Sequence, residues 1–279
     1  MGEKRLKWAN VPKGHHNPLA YAVSARDQSV IQMVEEAVRH GHVMLAYQAV
    51  VPSGRQDRPA FYEGLARVLD ETGRIIPARE FIDAIEATET GRIVDCLSLE
   101  KGIRTLREYP DIRLSINMSA RSIGYPRWMR TLKRGLGQDP TLGERLILEI
   151  TESSAMLVPE LVVNFMADLQ RKGISFALDD FGAGFTSFRY LKDFFFDILK
   201  IDGQFIRGIA ENPDNQVLTR ALTAIAEQFD MVTVAESVER PNDAVYLQNI
   251  GVHCLQGYYF GAPTVQAPWL GTTQTAAMA

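Results

Sequence analysis

Acidic side chains, with a few amide and cationic groups, interrupt the short apolar runs of this sequence near their carboxyl ends. A carboxylate inside a buried strand is costly unless it is paired or binds a metal ion. No Cys or His belongs to this set, so the residue types predict a site for Mg²⁺ or Mn²⁺, which prefer oxygen ligands. Adjacent acids such as Asp179 and Asp180 can bridge two ions, as phosphodiester chemistry uses them. The interrupting residues are Glu63, Arg67, Asn117, Glu149, Glu152, Asp179, Asp180, Lys200, Asp202, Glu236, Glu239 and Gln256.

These residues also have purely structural interpretations when they are taken one at a time. A single strand glutamate such as Glu63 is commonly salt-bridged, and Asn117 is of a type that is frequent in turns. Asp180 can cap a helix, and Lys200 can simply pair with a buried acid. The segment Gly182–Ser187 can be only a turn. The joint occurrence at the ends of seven consecutive apolar runs is what favours a functional site.

The apolar runs alternate with amphipathic segments, a pattern that predicts strands alternating with helices. Eight such units in one series predict an α/β fold, a modified (β/α)8 barrel of the TIM type, whose functional groups lie at the carboxyl ends of the strands. Only Pro52–Arg58 separates the first two strands, which is too short for a parallel crossover, so we expect the first strand to be antiparallel to the others. The predicted strands are Met44–Val51, Pro59–Val68, Arg113–Ser119, Arg145–Thr151, Ser175–Phe181, Asp197–Asp202, Val232–Ser237 and Cys254–Gly261.

The composition is that of a globular protein, with 279 residues, 46% hydrophobic residues and a formal net charge of −4. No apolar run approaches the length of a membrane span or follows the pattern of a secretory signal. The acidic balance argues against duplex nucleic acid as a partner. Cys96 and Cys254 have no zinc-ligand spacing, which fits a reducing cytoplasm. We expect a loosely ordered leader or linker over residues 1–28, a barrel domain over residues 29–268 and a flexible tail over residues 269–279.

Nine segments resemble the EAL-domain family of cyclic di-GMP phosphodiesterases, and they extend from Ala46 to Pro263, over nearly the whole predicted barrel. The resemblance implies hydrolysis of cyclic di-GMP to linear pGpG. It also implies bound ions of Mg²⁺ or Mn²⁺, two in number, and we expect Ca²⁺ to inhibit because it is larger and more loosely coordinated. The matching segments are YQAVV (47–51), YEGLAR (62–67), GRIIPAREFI (73–82), INMSARSI (116–123), LILEITES (146–153), FALDDFGAGFTSFRYL (176–191), ILKIDGQFI (198–206), TVAESVE (233–239) and LQGYYFGAP (255–263).

The same resemblance implies roles for individual residues. Those with catalytic roles would be Glu63, Lys200 and Glu236. The metal ligands would be Glu63, Asn117, Glu149, Asp179, Asp180 and Glu236. The substrate contacts would be Gln48, Arg67, Asp202 and Gln256. The supporting acids would be Glu152, which steadies the loop after the fifth barrel strand, and Glu239.

Two departures from the family pattern keep alternatives open. Gly64 stands where the family has alanine, and glycine loosens a strand by roughly 0.5–1 kcal/mol relative to Ala. Ser237 stands where the family has glycine, beside a carboxylate of the implied metal site. An alternative is therefore a catalytically weak or inactive EAL-type module that binds cyclic di-GMP or a partner protein as a receptor. An unrelated divalent-metal barrel enzyme is a further alternative.

In the family, the loop after the fifth barrel strand and the helix that follows it resemble a connection between a dimer interface and the metal site, so the resemblance implies a symmetric homodimer. The residues that would supply its apolar surface are Phe185, Phe188, Tyr190 and Phe194–Phe196. Gly182 and Gly184 would give the loop Asp180–Ser187 the freedom to connect that surface with the metal site. The rings can instead simply cover the barrel wall. We further expect that a sensor or regulatory domain lies outside this chain.

Overall fold

The computed structural model describes residues 18–182 and 191–269 of the chain. Within them, a sheet of nine strands surrounds a central axis, and helices pack against its outer face. The strands are β1 (Val43–Pro52), β2 (Phe61–Leu69), β3 (Ile75–Pro77), β4 (Leu114–Asn117), β5 (Leu146–Thr151), β6 (Ser175–Phe181), β7 (Ile198–Ile201), β8 (Val232–Ala235) and β9 (Cys254–Leu255). The helices are Pro18–Arg39, Ile82–Ile85, Glu89–Glu108, Pro126–Gln138, Leu142–Arg145, Glu152–Ala155, Pro159–Gln170, Gly203–Ile206, Pro213–Gln228 and Pro241–Asn249.

Eight of the strands close into a barrel. The strand order is β1-β9-β8-β7-β6-β5-β4-β2-β3, and the additional pairing of β1 with β2 completes the ring. Strand β1 runs antiparallel to both β2 and β9, while the strands from β4 to β9 pair in parallel. The modified (β/α)8 barrel with an antiparallel first strand is therefore confirmed. Strand β3 lies outside the ring, on the far end of β2.

The barrel interior is filled by an apolar layer with a polar layer above it. The apolar layer is Val50, Phe61, Ile147, Ala177, Ile198, Val234 and Cys254. The residue two positions further toward the carboxyl rim is polar on every one of these strands, and alternate residues of a strand share a face. The polar layer is Gln48, Glu63, Glu149, Asp179, Lys200, Glu236 and Gln256. The strand period itself thus brings these groups together inside the barrel.

The helices begin where the sequence provides start signals. Pro159 and Pro213 occupy first-turn positions of their helices, where the missing N–H costs nothing. The Asn212 side chain accepts a hydrogen bond from the Asn215 backbone N–H, and Asp202 accepts one from Gln204 in the same way. A large apolar cluster between the barrel wall and the helices includes Trp128, Phe165 and Phe176.

The structure differs from the sequence-based domain limits at both ends. Helix Pro18–Arg39 starts inside the predicted leader, so residues 18–28 are helical rather than loosely ordered. Trp269 was expected in the flexible tail, yet it is only 9% exposed and packs edge-on against Tyr47, Tyr62 and Tyr109. Residues 1–17 and 270–279 lie outside the described part of the chain, so the predictions made for them are not tested. Within the described residues, no helix combines the length and apolarity that crossing a membrane requires.

Candidate active site

Lys200 lies at the centre of the polar layer and is surrounded by carboxylates from four other strands. Its ammonium nitrogen is 2.7 Å from Glu149 Oε2, 2.7 Å from Glu236 Oε1 and 2.8 Å from Asp179 Oδ1. Glu63 Oε2 lies 3.5 Å away. Lys200 is 1% exposed, so this charge is almost completely removed from water. Three close carboxylates match the three N–H donors of the ammonium group, and the lysine provides the positive charge that the acids require.

Glu63 is oriented by two amide side chains. Its Oε1 accepts a hydrogen bond of 2.8 Å from Asn117 Nδ2, and its Oε2 accepts one of 2.5 Å from Gln256 Nε2. The Gln256 amide also donates to Gln48 Oε1 at 3.1 Å, and Gln48 donates in turn to the backbone carbonyl of Gly261. Four predicted site residues on β1, β2, β4 and just after β9 therefore form one connected network, which holds the Glu63 carboxylate in a single orientation.

The carboxylates of this cluster do not share the negative charge equally. Burial opposes ionisation of Glu63, but Lys200 and the two amides outweigh it and hold the pKa of Glu63 below its ordinary value. Burial and the neighbouring Glu63 charge raise the pKa of Glu149 to about 8. Burial also raises the pKa of Glu236 well above its ordinary value, with Lys200 opposing. In the protein alone, Glu149 and Glu236 therefore take up a proton more readily than Glu63 does.

Lys200 itself stays charged. Burial disfavours the ammonium form, yet the surrounding acids, Asp179 first among them, raise the pKa of Lys200 well above its ordinary value. Burial and the adjacent Asp179 charge raise the pKa of Asp180 to about 6, although the side chain of Asp180 reaches solvent. Asp180 also adopts a left-handed backbone conformation, with φ of 54°. This conformation is uncommon outside glycine, and Asn and Asp tolerate it best.

The acids suit divalent cations. Carboxylate oxygens of Glu63, Glu149 and Asp179 lie within 4.8 Å of one another, as do those of Asp179, Asp180 and Glu236. Glu149 Oε1 is buried and has no hydrogen-bond partner among the described residues. A buried acceptor without a partner is costly, and a cation would satisfy it. Two overlapping oxygen-only groups that share Asp179 match a pair of hard ions.

A cavity of about 360 Å³ opens above the cluster. Among its walls are the predicted residues Gln48, Glu63, Arg67, Asp179, Lys200, Glu236, Glu239 and Gln256. Asp180 and Asn117 instead line a second cavity of about 220 Å³ beside it. Asp202 is not among the walls of either cavity, and its carboxylate caps helix Gly203–Ile206. The predicted substrate contact of Asp202 therefore has no support from its position.

Sequence reasoning missed three groups that line the larger cavity, namely Arg79, Arg207 and Tyr258. Arg79 lies in a short turn after β3, and the other two follow β7 and β9. They project from turns, so the strand period could not place them in the site. The segments GRIIPAREFI and LQGYYFGAP, which contain Arg79 and Tyr258, were the only sequence signal for them.

The predicted supporting acids occupy the rim. Glu152 accepts a hydrogen bond of 3.3 Å from the backbone N–H of Gly182, where the loop after β6 begins. This contact agrees with the role in steadying that loop which the family resemblance implies. Glu239 lies 3.6 Å from the guanidinium of Arg207. Of the residues predicted to form a dimer surface, Phe185, Phe188 and Tyr190 lie outside the described residues, as does Gly184.

The Phe194–Phe196 run divides between core and surface. Phe194 and Phe196 are buried in the core cluster, where their ring centroids are 5.5 Å apart. Phe195 is 69% exposed. The interpretation that these rings cover the barrel wall therefore applies to two of them, and only Phe195 is available for a contact with another molecule.

The chain is similar to proteins of one family in both sequence and structure. The model of the EAL domain matches residues 31–263. Cyclic di-GMP phosphodiesterase PdeB of Shewanella oneidensis is 28% identical over 246 residues, which cover 87% of this chain and 29% of PdeB. Cyclic di-GMP phosphodiesterase PdeF of Escherichia coli is 28% identical over 239 residues, which cover 84% of this chain and 32% of PdeF. The chain thus spans about a third of the length of these relatives.

A solved structure with a related sequence has the same fold. The PaMucR phosphodiesterase, solved as a complex with c-di-GMP, superimposes with a TM-score of 0.75 and is 27% identical. The match covers 85% of this chain and 97% of that structure. The barrel fold of this chain therefore also occurs in a phosphodiesterase that was solved with c-di-GMP bound.

Proposed function

The chain belongs to the EAL-domain family, and from that premise we propose that it is a divalent-metal-dependent phosphodiesterase that hydrolyses cyclic di-GMP to linear pGpG. The observation that carries the proposal is the cluster of carboxylates around Lys200 at the floor of an open cavity. Each ligand type that the family resemblance implies is present, and four of the acids lie in one layer inside the barrel, three of them buried.

Two divalent ions of Mg²⁺ or Mn²⁺ fit the donor set. One would be held by Glu63, Glu149 and Asp179, with Asn117 beside Glu63, and the other by Asp179, Asp180 and Glu236. When bound, such ions supply positive charge to the phosphate oxygens and lower the pKa of the attacking water. We propose that Ca²⁺, which is larger and more loosely coordinated, inhibits the reaction.

The chain's own groups then position the reactants. Lys200 Nζ lies within 2.8 Å of carboxylate oxygens of Glu149, Glu236 and Asp179 in the protein alone, so these acids compete with a water for the N–H donors of Lys200. Once Asp179 and Glu236 act as ligands, at least one N–H is released and can hold the attacking water. Glu149, whose pKa is about 8 in the protein alone, must give up its proton before it can serve as a ligand.

The cavity walls suit an anionic dinucleotide. Arg67 and Arg79 line the cavity above the acidic floor, so a phosphodiester can be held by cations on the wall while its phosphorus faces the cluster. Burial and the neighbouring Arg79 charge lower the pKa of Arg67, which shows that the two guanidinium groups repel each other. An anion between them would relieve that repulsion. Gln48 and Gln256 supply neutral donors and acceptors next to Glu63.

A receptor that binds cyclic di-GMP without hydrolysing it is the second candidate. The observation that favours it is Lys200, whose ammonium group already contacts the carboxylates of the cluster, so the acids have a cation among them without any bound metal ion. We infer that an enzyme is the better candidate than a receptor. Glu149 Oε1 is buried and has no hydrogen-bond partner among the described residues, so this cluster still lacks a cation at that atom. We further propose a cytoplasmic homodimer whose sensor or regulatory domain lies outside this chain.

The test is turnover. Purified protein is incubated with cyclic di-GMP and Mn²⁺, and the products are separated by chromatography against pGpG and GMP standards. We expect pGpG to accumulate, and we expect Lys200→Met to abolish its formation, whereas Lys133→Met, which changes an exposed lysine on helix Pro126–Gln138, should not. Tight binding of cyclic di-GMP without any pGpG would contradict the proposed enzyme and establish the receptor.

A further inference from the structure

Ser237 has an unusual backbone for a residue with a side chain. It directly follows Glu236 at the cavity wall, and its φ of 56° lies in the left-handed region. That conformation costs a non-glycine residue roughly 1–2 kcal/mol, and serine has no special tolerance for it. Backbone strain of this kind persists only where the surrounding contacts hold the residue in place.

The hydroxyl group of Ser237 contacts an arginine. Ser237 Oγ accepts a hydrogen bond of 2.9 Å from Arg207 Nη2, and the Nε of the same guanidinium lies 3.6 Å from Glu239 Oε1. The side chain of Arg207 is 57% exposed, so without these partners it would sample many rotamers. Ser237 and Glu239 therefore hold a long and otherwise mobile cation in one orientation at the cavity wall.

Gly203 provides the space for this hydroxyl group. A Cβ atom at position 203 would lie 2.4 Å from Ser237 Oγ and 2.6 Å from Ser237 Cβ, so any larger residue there would displace the serine. The side chain of Ser237 thus occupies the space that the missing side chain of Gly203 leaves. Gly203, Ser237 and Arg207 therefore depend on one another sterically.

Arg207 lies on the opposite side of the barrel from Arg67. Arg67 is on β2, Arg207 follows β7, and these strands are four places apart in the eight-stranded ring. Both guanidinium groups line the same cavity, with the acidic cluster between them. A ligand whose phosphate sits on the cluster would therefore meet a separate cation on each side. For a cyclic dinucleotide, the groups that extend outward from the phosphates are the bases.

The pairing of Arg207 with Glu239 matches the hydrogen-bonding groups of guanine. Guanine presents acceptors, O6 and N7, next to N–H donors on the same ring system, and an arginine fork binds O6 and N7 with two hydrogen bonds. A carboxylate beside that fork accepts from the N–H donors. Adenine carries an amino donor where guanine carries O6, so the same guanidinium would face a donor and lose the contact.

We propose that Ser237 is a positioning residue for Arg207, and that Arg207 together with Glu239 recognises a guanine base of the ligand. The proposal rests on the proposed function, because it assumes that cyclic di-GMP occupies the cavity. It assigns the serine that departs from the family pattern to base selectivity rather than to the metal site.

Calorimetric titration with cyclic di-GMP and with cyclic di-AMP tests this proposal without relying on turnover. We expect Ser237→Ala to weaken cyclic di-GMP binding roughly fivefold, which is the scale of one ordinary hydrogen bond, and to leave cyclic di-AMP binding unchanged. Arg207→Gln should weaken cyclic di-GMP binding roughly tenfold or more. Gly203→Ala should reproduce the selective loss, because the new Cβ displaces the hydroxyl group.

Ser237→Gly separates positioning from stability. Glycine accepts φ of 56° without strain, so this variant should melt no lower than Ser237→Ala, yet it should lose the same selectivity. Equal loss for both dinucleotides, or unchanged cyclic di-GMP affinity in Ser237→Ala and Ser237→Gly, would overturn the proposal alone. Failure of the unaltered protein to bind either dinucleotide would instead overturn the proposed function, and this inference with it.

Discussion

At the scale of single residues, the main feature of the site is an excess of acidic over basic groups. Lys200 contributes one positive charge, whereas Glu63, Glu149, Asp179 and Glu236 can contribute four negative charges. The raised pKa of Glu149 and of Glu236 means that these two acids favour the protonated form in the protein alone. Binding of divalent cations would replace those protons. The acids of this cluster can therefore carry more negative charge than Lys200 neutralises, and divalent cations would supply the missing positive charge.

The first prediction concerns two implied ligands. Glu63→Ala and Asp180→Asn should each lower turnover of cyclic di-GMP by more than about 100-fold, because each removes a charged oxygen ligand. The fold should survive, since removing one of several like charges relieves repulsion. Steady-state kinetics with excess Mn²⁺ measures the loss, and Asp57→Asn at an exposed position provides the control. Near-normal turnover of Glu63→Ala would show that Glu63 is structural.

The second prediction concerns the pH dependence of stability through Asp95. This buried carboxylate accepts hydrogen bonds from the Ser119 backbone and the Ser122 hydroxyl, but burial dominates and raises the pKa of Asp95 to about 7. Glu86 is the charged neighbour that adds to the rise. The folded protein thus holds the proton more tightly than the unfolded chain. The resulting stability is complete below the ordinary pKa near 4 and is lost as the pH rises through about 7.

Asp95→Asn should remove this dependence, because the amide oxygen can accept the same two hydrogen bonds and does not ionise. Relative to the variant, the original protein should lose roughly 3 kcal/mol of unfolding free energy between about pH 5 and about pH 8. Urea denaturation at the two pH values measures the difference. If the gap between the two proteins stayed constant, Asp95 would be ionised in the folded state.

At the scale of elements, the barrel strands could be predicted well and their surroundings less so. Apolar residues alternate with the polar layer, so the sequence pattern revealed seven of the eight barrel strands within a few residues of their ends. The last barrel strand, β9, is only Cys254–Leu255, because the following Gly257 packs directly against the backbone of Val238 and the chain turns. Strand β3 was missed because three residues ending in proline carry no alternation.

Groups placed by turns rather than by strands were also beyond sequence reasoning. Arg79, Arg207 and Tyr258 reach the cavity from irregular segments, whose direction depends on tertiary packing. The second half of helix Pro18–Arg39 contributes Val30, Val34 and Ala37 to an apolar cluster with residues of β1 and β2. The packing of that half against the barrel, which a local pattern does not contain, sets the domain limit.

The third prediction concerns Gly64 on β2. A Cβ atom there would lie 2.7 Å from Ile116 Cδ1, and a Cβ at Gly102 would lie 2.8 Å from the same atom. Ile116 thus fills space that two glycines leave, which explains glycine at the family's alanine position better than strand flexibility does. Gly64→Ala should lower the unfolding free energy by about 1–3 kcal/mol. Adding Ile116→Val, which removes that methyl group, should recover most of the loss.

Chemical denaturation of the single and double variants measures this coupling. Gly54→Ala is the control, because a Cβ at that position would meet no atom within 4 Å. If Gly64→Ala were neutral alone, or if Ile116→Val added to its cost, the proposed packing conflict would be wrong.

At the scale of the whole molecule, the fourth prediction concerns the choice of ion. Excess chelator should abolish turnover, and Mg²⁺ or Mn²⁺ should restore it, because these small ions hold near-octahedral geometry. Ca²⁺ should leave cyclic di-GMP bound without product, which calorimetry and chromatography on the same samples would show. Full activity in excess chelator would contradict the two-ion arrangement.

The last prediction concerns assembly. Leu157, Leu161 and Phe195 are exposed apolar side chains, although Phe194 and Phe196 are buried. In the sequence, Phe195 lies between the loop that follows β6 and strand β7. A cavity lined in part by Leu161 and Phe194 lies between helix Pro159–Gln170 and this segment. An exposed apolar surface of this kind is stabilised when a second copy of the chain covers it. Glu152 contacts Gly182 at the start of the same loop, so assembly and the metal site would share one segment.

Phe195→Asp should therefore weaken a symmetric homodimer and lower specific activity in parallel, because a buried unpaired charge opposes the interface. Val245→Asp changes another exposed apolar residue, on helix Pro241–Asn249, and should alter neither property. Sedimentation across a dilution series, with activity measured on the same samples, distinguishes the outcomes. A monomer at every concentration with undiminished specific activity would exclude the coupling, since the site would then be complete within one chain.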